Sequence, residues 1–148
     1  MFGLMGMGRQ QAAGSGPHIP GERILNTTLD TGANIAAPLG GWTLDGLGEA
    51  TNTVVGRQLQ FELAAPITAG VVSLVSIDVF DNPGVANVLV EAFSVSDSSF
   101  FLLLDDATGS MGVLTAPDVV VTGGPYDRVR IRCFGADGTV ISGLSVLV

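Results

Sequence analysis

Residues 57–63 alternate strictly, with Leu59, Phe61 and Leu63 on one side and Gln58, Gln60 and Glu62 on the other. A period of two marks a strand with one buried and one solvated face. Comparable runs, broken by turn-forming residues at spacings near ten, fill the chain from Arg23 onward. The pattern predicts strands over residues 24–30, 42–44, 50–55, 57–63, 71–80, 85–95, 99–104, 111–114, 119–121, 126–134 and 139–148. Turns fall at Asp30-Thr31-Gly32-Ala33-Asn34, Asp81-Asn82-Pro83-Gly84, Asp105-Asp106-Ala107-Thr108-Gly109 and Gly135-Ala136-Asp137-Gly138. No helical period and no internal repeat emerges. The predicted fold is all-β, an antiparallel β-sandwich of jelly-roll type.

Two strands depart from simple alternation. Phe100-Phe101-Leu102-Leu103-Leu104 is apolar on both faces. A strand of a monomeric sandwich needs one polar face, so Phe100, Leu102 and Leu104 are expected to meet another subunit. The apolar end of the chain, Leu144 to Val148, reads the same way. A homo-oligomer is expected, with a trimer favoured. Conversely, Arg128, Arg130 and Arg132 alternate with Val129, Ile131 and Cys133, which puts three like charges on one face. They need carboxylate partners or a negative surface. They read as a polar interface or as a solvated face paired with nearby Asp and Glu.

Residues 1–22 have no period of either kind. They are rich in Gly and Met and end in the turn-prone Gly14-Ser15-Gly16-Pro17 and Pro20-Gly21. An extended N-terminal arm is expected there, with residues 23–148 forming the sandwich. Phe2, Leu4, Met5 and Met7 are side chains suited to adaptable apolar docking.

Composition narrows the function. The chain has 148 residues and is 47% hydrophobic and 14% charged, enough apolar content for one packed core. Its net charge of −8 lacks the basic footprint that nucleic-acid binding needs. All six cations are arginine. No apolar run reaches membrane-spanning length, and the Gly-broken start does not read as a secretory leader. Assembly in the cytoplasm, with no membrane partner, is the expectation. Cys133 is the one cysteine, so it has no disulfide partner in the chain and reads as a small core residue.

Candidate chemistry is sparse. His18 is the one histidine and lies in the arm, so no triad is supported. Asp105 and Asp106 are adjacent and point to opposite sides of an extended chain, which does not make a glycosidase pair. Asp78, Asp81 and Asn82 supply hard oxygen atoms near a turn and are the weak alternative for a metal site; otherwise no metal and no cofactor is expected. The reading is non-enzymatic.

The step Gly41-Trp42-Thr43, the following Gly48-Glu49-Ala50, the strand Leu59-x-Phe61-x-Leu63, the long strand from Gly70 to Phe80 and the close Gly138-Thr139-Val140-Ile141-Ser142-Gly143 carry a resemblance. Over residues 24–148 the chain resembles the carbohydrate-binding-module or galactose-binding-like jelly rolls of tailed-phage virion proteins. The resemblance implies a virion structural protein, a capsid decoration or tail accessory subunit partnered by the major capsid or tail protein. The alternative is a glycan- or receptor-binding module, for which Trp42 and Tyr126 are the rings available to stack on a sugar, although Trp42 also reads as a core plug of the sandwich.

Overall fold

The computed structural model describes residues 20–36 and 40–148. Among them are nine strands and no helix: β1 (Trp42–Leu44), β2 (Ala50–Asn52), β3 (Gln58–Ile67), β4 (Gly70–Asp81), β5 (Asn87–Phe93), β6 (Phe100–Asp106), β7 (Gly112–Val121), β8 (Tyr126–Phe134) and β9 (Val140–Leu147). They form a five-stranded sheet in the order β1-β2-β9-β4-β7 and a four-stranded sheet in the order β3-β8-β5-β6. Every strand pair is antiparallel.

The core lies between the sheets. Leu59 and Phe61 of β3, Val129, Ile131 and Cys133 of β8, and Val88, Val90 and Ala92 of β5 face Val75, Ile77 and Val79 of β4 and Ile141, Leu144 and Val146 of β9; all are buried. Each large aliphatic or aromatic side chain so buried contributes about 1.5–3 kcal/mol relative to exposure. The alternation along residues 57–63 and 128–133 is therefore the alternation of core and outer face.

The sequence expectation fails at three places. Residues 24–30 are not a regular strand. They belong to a segment that closes one side of the sandwich, bridging Leu147 through Glu22 and β3 through Ile24 and Ile35. The Glu22 carboxylate, 3% exposed, accepts the Ile24 and Val146 amides at 3.0 and 2.9 Å and the Ser145 hydroxyl. Asn26 then turns the chain by donating to the Thr31 and Ala33 carbonyls and accepting from the Leu29 amide. Glu22 thus packs as part of the sandwich, while Phe2, Leu4, Met5 and Met7 lie outside the described residues.

Residues 112–121 form one strand where two were expected. Pro117 does not interrupt it because β7 is a sheet edge, where a missing N–H facing solvent costs no ladder bond. Pro117 and Asp118 also blunt that edge against pairing with another chain.

Leu104 is not on the outer face. The register runs Val90 with Leu104 but Glu91 with Leu102, so β6 carries a bulge at Leu103. The extra residue shifts the phase, and Leu103 and Leu104 are both buried, while Phe100 and Leu102 remain 52% and 43% exposed. The apolar interface read from sequence reduces to Phe100 and Leu102.

Candidate functional site

The outer face of the four-stranded sheet is organised by register into transverse rows. Glu62, Arg128, Phe93 and Phe100 form one row across β3, β8, β5 and β6. Gln60, Arg130, Glu91 and Leu102 form the next. Gln58, Arg132, Leu89 and Asp105 form the third. Side chains directly opposite one another on a sheet lie about 5 Å apart at Cβ, within reach for direct contact.

Glu91 is the hub. It is 1% exposed, although it lies on the outward side of its strand. Its Oε1 accepts Arg130 Nε at 2.7 Å and Arg132 Nε at 2.8 Å, and its Oε2 accepts Arg132 Nη2 at 2.7 Å. Arg130 also donates through Nη1 to Gln58 Oε1 at 3.2 Å. Gln60 donates to the same Gln58 oxygen at 3.0 Å, and Arg128 Nη1 donates to Gln60 Oε1 at 3.0 Å. Guanidinium groups only donate, so the two arginines fix which end of each glutamine amide is the oxygen.

Phenylalanine rings hold the guanidiniums in place. The Arg130 Cζ lies 4.3 Å from the Phe93 ring centre and 5.0 Å from that of Phe100. The Arg132 Cζ lies 5.8 Å from Phe100 and 5.0 Å from Phe134. Charge, amide and ring thus alternate over the face, and each restrains its neighbour.

Of the arginines read from sequence, the structure brings all three together. It adds Glu91, Gln58, Gln60, Phe93 and Phe134, which were not singled out. Glu91 was legible as the one charge inside the apolar run 85–95, but only the β5–β8 register reveals what it faces.

The two rings proposed for sugar stacking are not available. Trp42 is 3% exposed and its indole N–H donates to the Arg57 carbonyl at 2.9 Å; Tyr126 is 4% exposed and its hydroxyl donates to the Thr122 carbonyl at 2.8 Å. Both fill the interior and use their polar atoms on backbone. The Asp78, Asp81 and Asn82 alternative also fails. Asn82 spends its amide on the Ala86 backbone, donating at 3.0 Å and accepting at 2.8 Å, and its oxygen also accepts from Thr139. Asp78 and Asp81 both point away from the core, on either side of a register shift in β4, and no third acidic group joins them among the described residues. Among the described residues no group of three or more His, Cys, Asp or Glu converges.

Ionisable groups elsewhere are shifted, Cys133 and Asp106 among them. Burial pushes the Cys133 thiol up to about 11. Burial works to raise Asp106 as well, but hydrogen bonds from the Thr108 hydroxyl and the Ser110 and Thr108 amides outweigh it and hold the carboxyl below its usual value.

No protein-family model matches the sequence, and no curated protein matches it. Solved structures do match in fold. A chitosan-binding module derived from a chitosanase/glucanase of Paenibacillus sp. IK-5 superposes with a TM-score of 0.51 at 14% identity, covering 82% of this chain and 98% of that one. A truncated AlyQ with CBM32 and alginate lyase domains gives a TM-score of 0.51 at 15% identity, covering 86% of this chain and 33% of that one. The architecture of this chain is a β-sandwich similar to that of these carbohydrate-binding proteins.

Proposed function

We propose that the domain is a non-catalytic carbohydrate-binding module whose ligand lies on the outer face of the four-stranded sheet. The observation that carries this reading is the Arg128–Gln60–Gln58–Arg130–Glu91–Arg132 network beside the half-exposed Phe100, on a scaffold similar to a chitosan-binding module. Planar polar groups held rigid by rings and by a buried carboxylate lose little freedom on binding. Mounted on strands rather than loops, they also keep their spacing.

The carboxylates of this face support a binding role. Both Glu91 oxygens are occupied by guanidiniums. Glu62 and Asp105 stand on the two edge strands, β3 and β6. Three strand spacings amount to about 14 Å, beyond the roughly 5–9.5 Å that separates the carboxyl pair of a glycosidase.

The capsid-decoration reading finds no counterpart among the structural neighbours, whereas the glycan-binding alternative does. The test is depletion from solution by insoluble polysaccharides, with affinity electrophoresis for soluble ones. Retention by at least one polysaccharide is expected, weakened when Phe100→Ala and Gln58→Ala are combined. Passage through every polysaccharide tested, or retention indifferent to that double substitution, overturns the reading.

A further inference from the structure

We infer that this face selects acidic polysaccharides, with Arg128 as the residue that receives a uronic-acid carboxylate. The inference rests on the module reading above and specifies its ligand. It follows from counting donors and acceptors on the face. The Glu91 oxygens accept from Arg130 and Arg132, the Gln58 oxygen accepts from Arg130 and Gln60, and the Gln60 oxygen accepts from Arg128. Every side-chain acceptor of the network is therefore engaged inside it.

The donors are not. Arg128 uses one N–H on Gln60 and forms no ion pair among the described residues, although Glu62 stands opposite it in register. The rest of its guanidinium fork, the Arg132 Nη1 and the Gln58 amide nitrogen have no protein acceptor among the described residues. Between Glu62 at one edge and Asp105 at the other, the network offers a ligand N–H groups; the one side-chain oxygen without a partner further along this face among the described residues, Asn87 Oδ1, is buried. Such a surface is complementary to a group made only of acceptors. A carboxylate matches the guanidinium fork in two parallel hydrogen bonds, which a sugar hydroxyl does not.

The setting fits a sugar acid better than a bare anion. Phe93 and Phe100 continue the row of Arg128 across β5 and β6. Phe100 is 52% exposed and lies two strand spacings, about 10 Å, from Arg128. One sugar of a chain held by its carboxylate at Arg128 then leaves a neighbouring sugar over an apolar ring, whose face suits sugar C–H groups. The protein carries a net charge of −8. Non-specific attraction therefore does not draw a polyanion to it, and binding depends on this local arrangement.

The experiment is affinity electrophoresis of the folded domain in gels containing polygalacturonate, the same polymer after reduction of its carboxyl groups, a neutral β-glucan, or poly-L-glutamate. Retardation by polygalacturonate alone is expected. Arg128→Ala should weaken it about ten- to a hundredfold, the magnitude of a lost charge-assisted pair. Arg128→Lys should restore only part of it. Circular dichroism melts of both variants should match the parent, because Arg128 is partly exposed and joined only to Gln60. Equal retardation by the carboxyl-reduced polymer or the neutral glucan overturns the acidic selectivity and leaves the module reading standing. Retardation by poly-L-glutamate overturns the requirement for a sugar. Retardation by none of the four overturns the inference; the module reading falls only if the wider polysaccharide panel also fails.

Discussion

Glu91 of β5 faces Arg130 of β8 on the outer surface of the sheet, with Oε1 2.7 Å from Nε, and both side chains are nearly removed from solvent. Phe93 and Phe100 stack on the Arg130 guanidinium of this pair. An ion pair in such a place need not be a net source of stability, yet breaking it is costly because the surviving charge stays desolvated. Glu91→Ala leaves two guanidiniums without their carboxylate and should destabilise the fold by about 3–5 kcal/mol. Combining Glu91→Leu with Arg130→Met should recover much of that loss. Urea denaturation of the three proteins tests the account; a loss under about 1 kcal/mol for Glu91→Ala would contradict it.

Cys133 should be chemically silent in the native protein. It is fully buried, and its thiol is held near 11 against an ordinary value of 9.0. A thiolate is needed for alkylation or disulfide exchange, so reagent consumption at pH 8 should track unfolding. The same shift makes stability depend on pH. The folded pKa is above the unfolded one, so the contribution is whole below pH 9 and fades as pH rises through 11. The loss is about 3 kcal/mol at most, from two pKa units. Cys133→Ala should erase this alkaline slope while costing about 1–2 kcal/mol at neutral pH for the atom removed. An unchanged slope in the variant would assign it to another group.

Period-two reading recovers the fold wherever strands keep phase. Leu59 and Phe61 point to the core, and Arg128, Arg130 and Arg132 share the outer face. It fails at Leu104, because a bulge has no signature in hydrophobicity alone. It divides β7 at Pro117, because edge position is a property of the sheet and not of the strand. The site was half visible. Three arginines on one face demand negative partners, but Glu91 lies some forty positions upstream, and only the antiparallel register of β5 and β8 brings it opposite them. Trp42 and Tyr126 were ambiguous in sequence for a related reason: an aromatic residue looks the same whether it plugs a core or presents a ring.

Asp106 should make the β6–β7 connection sensitive to acid. Its two oxygens accept from Thr108, through amide and hydroxyl, and from the Ser110 amide. These hydrogen bonds hold its pKa below the ordinary 3.8 despite the opposing effect of burial. The sign is that of a depressed carboxylate: the stabilisation is present above pH 3.8 and is lost as pH falls through the folded value. Asp106→Asn keeps an oxygen for Thr108 but replaces the one that receives Ser110, and should cost about 1 kcal/mol at pH 7. Amide exchange at Thr108 and Ser110 reports it directly. Faster exchange in the variant at pH 7, converging with the parent at low pH, is expected; identical exchange at pH 7 would remove Asp106 from this role.

The loop after β4 stores strain that one side chain holds in place. Val85 adopts a φ of 55°, a left-handed conformation that β-branched residues disfavour, and its side chain is 65% exposed. Little apolar burial compensates for it. Asn82 imposes the shape, since its amide spans the loop to both backbone groups of Ala86 and also accepts from Thr139. Asn82→Ala should therefore lose about 2 kcal/mol and open residues 82–86 to proteolysis, because buried backbone groups lose their partners. Val85→Gly acts on the other half of the balance. Glycine takes a positive φ without penalty, so this substitution should be neutral or stabilising by up to about 1 kcal/mol, although it removes a large side chain. If Asn82 shapes the loop and Val85 bears the strain, adding Val85→Gly to Asn82→Ala should recover less stability than it adds to the parent, since the released loop relaxes by itself. Thermal melts of the four proteins decide: equal gains in both backgrounds would mean that Asn82 does not enforce the conformation of Val85.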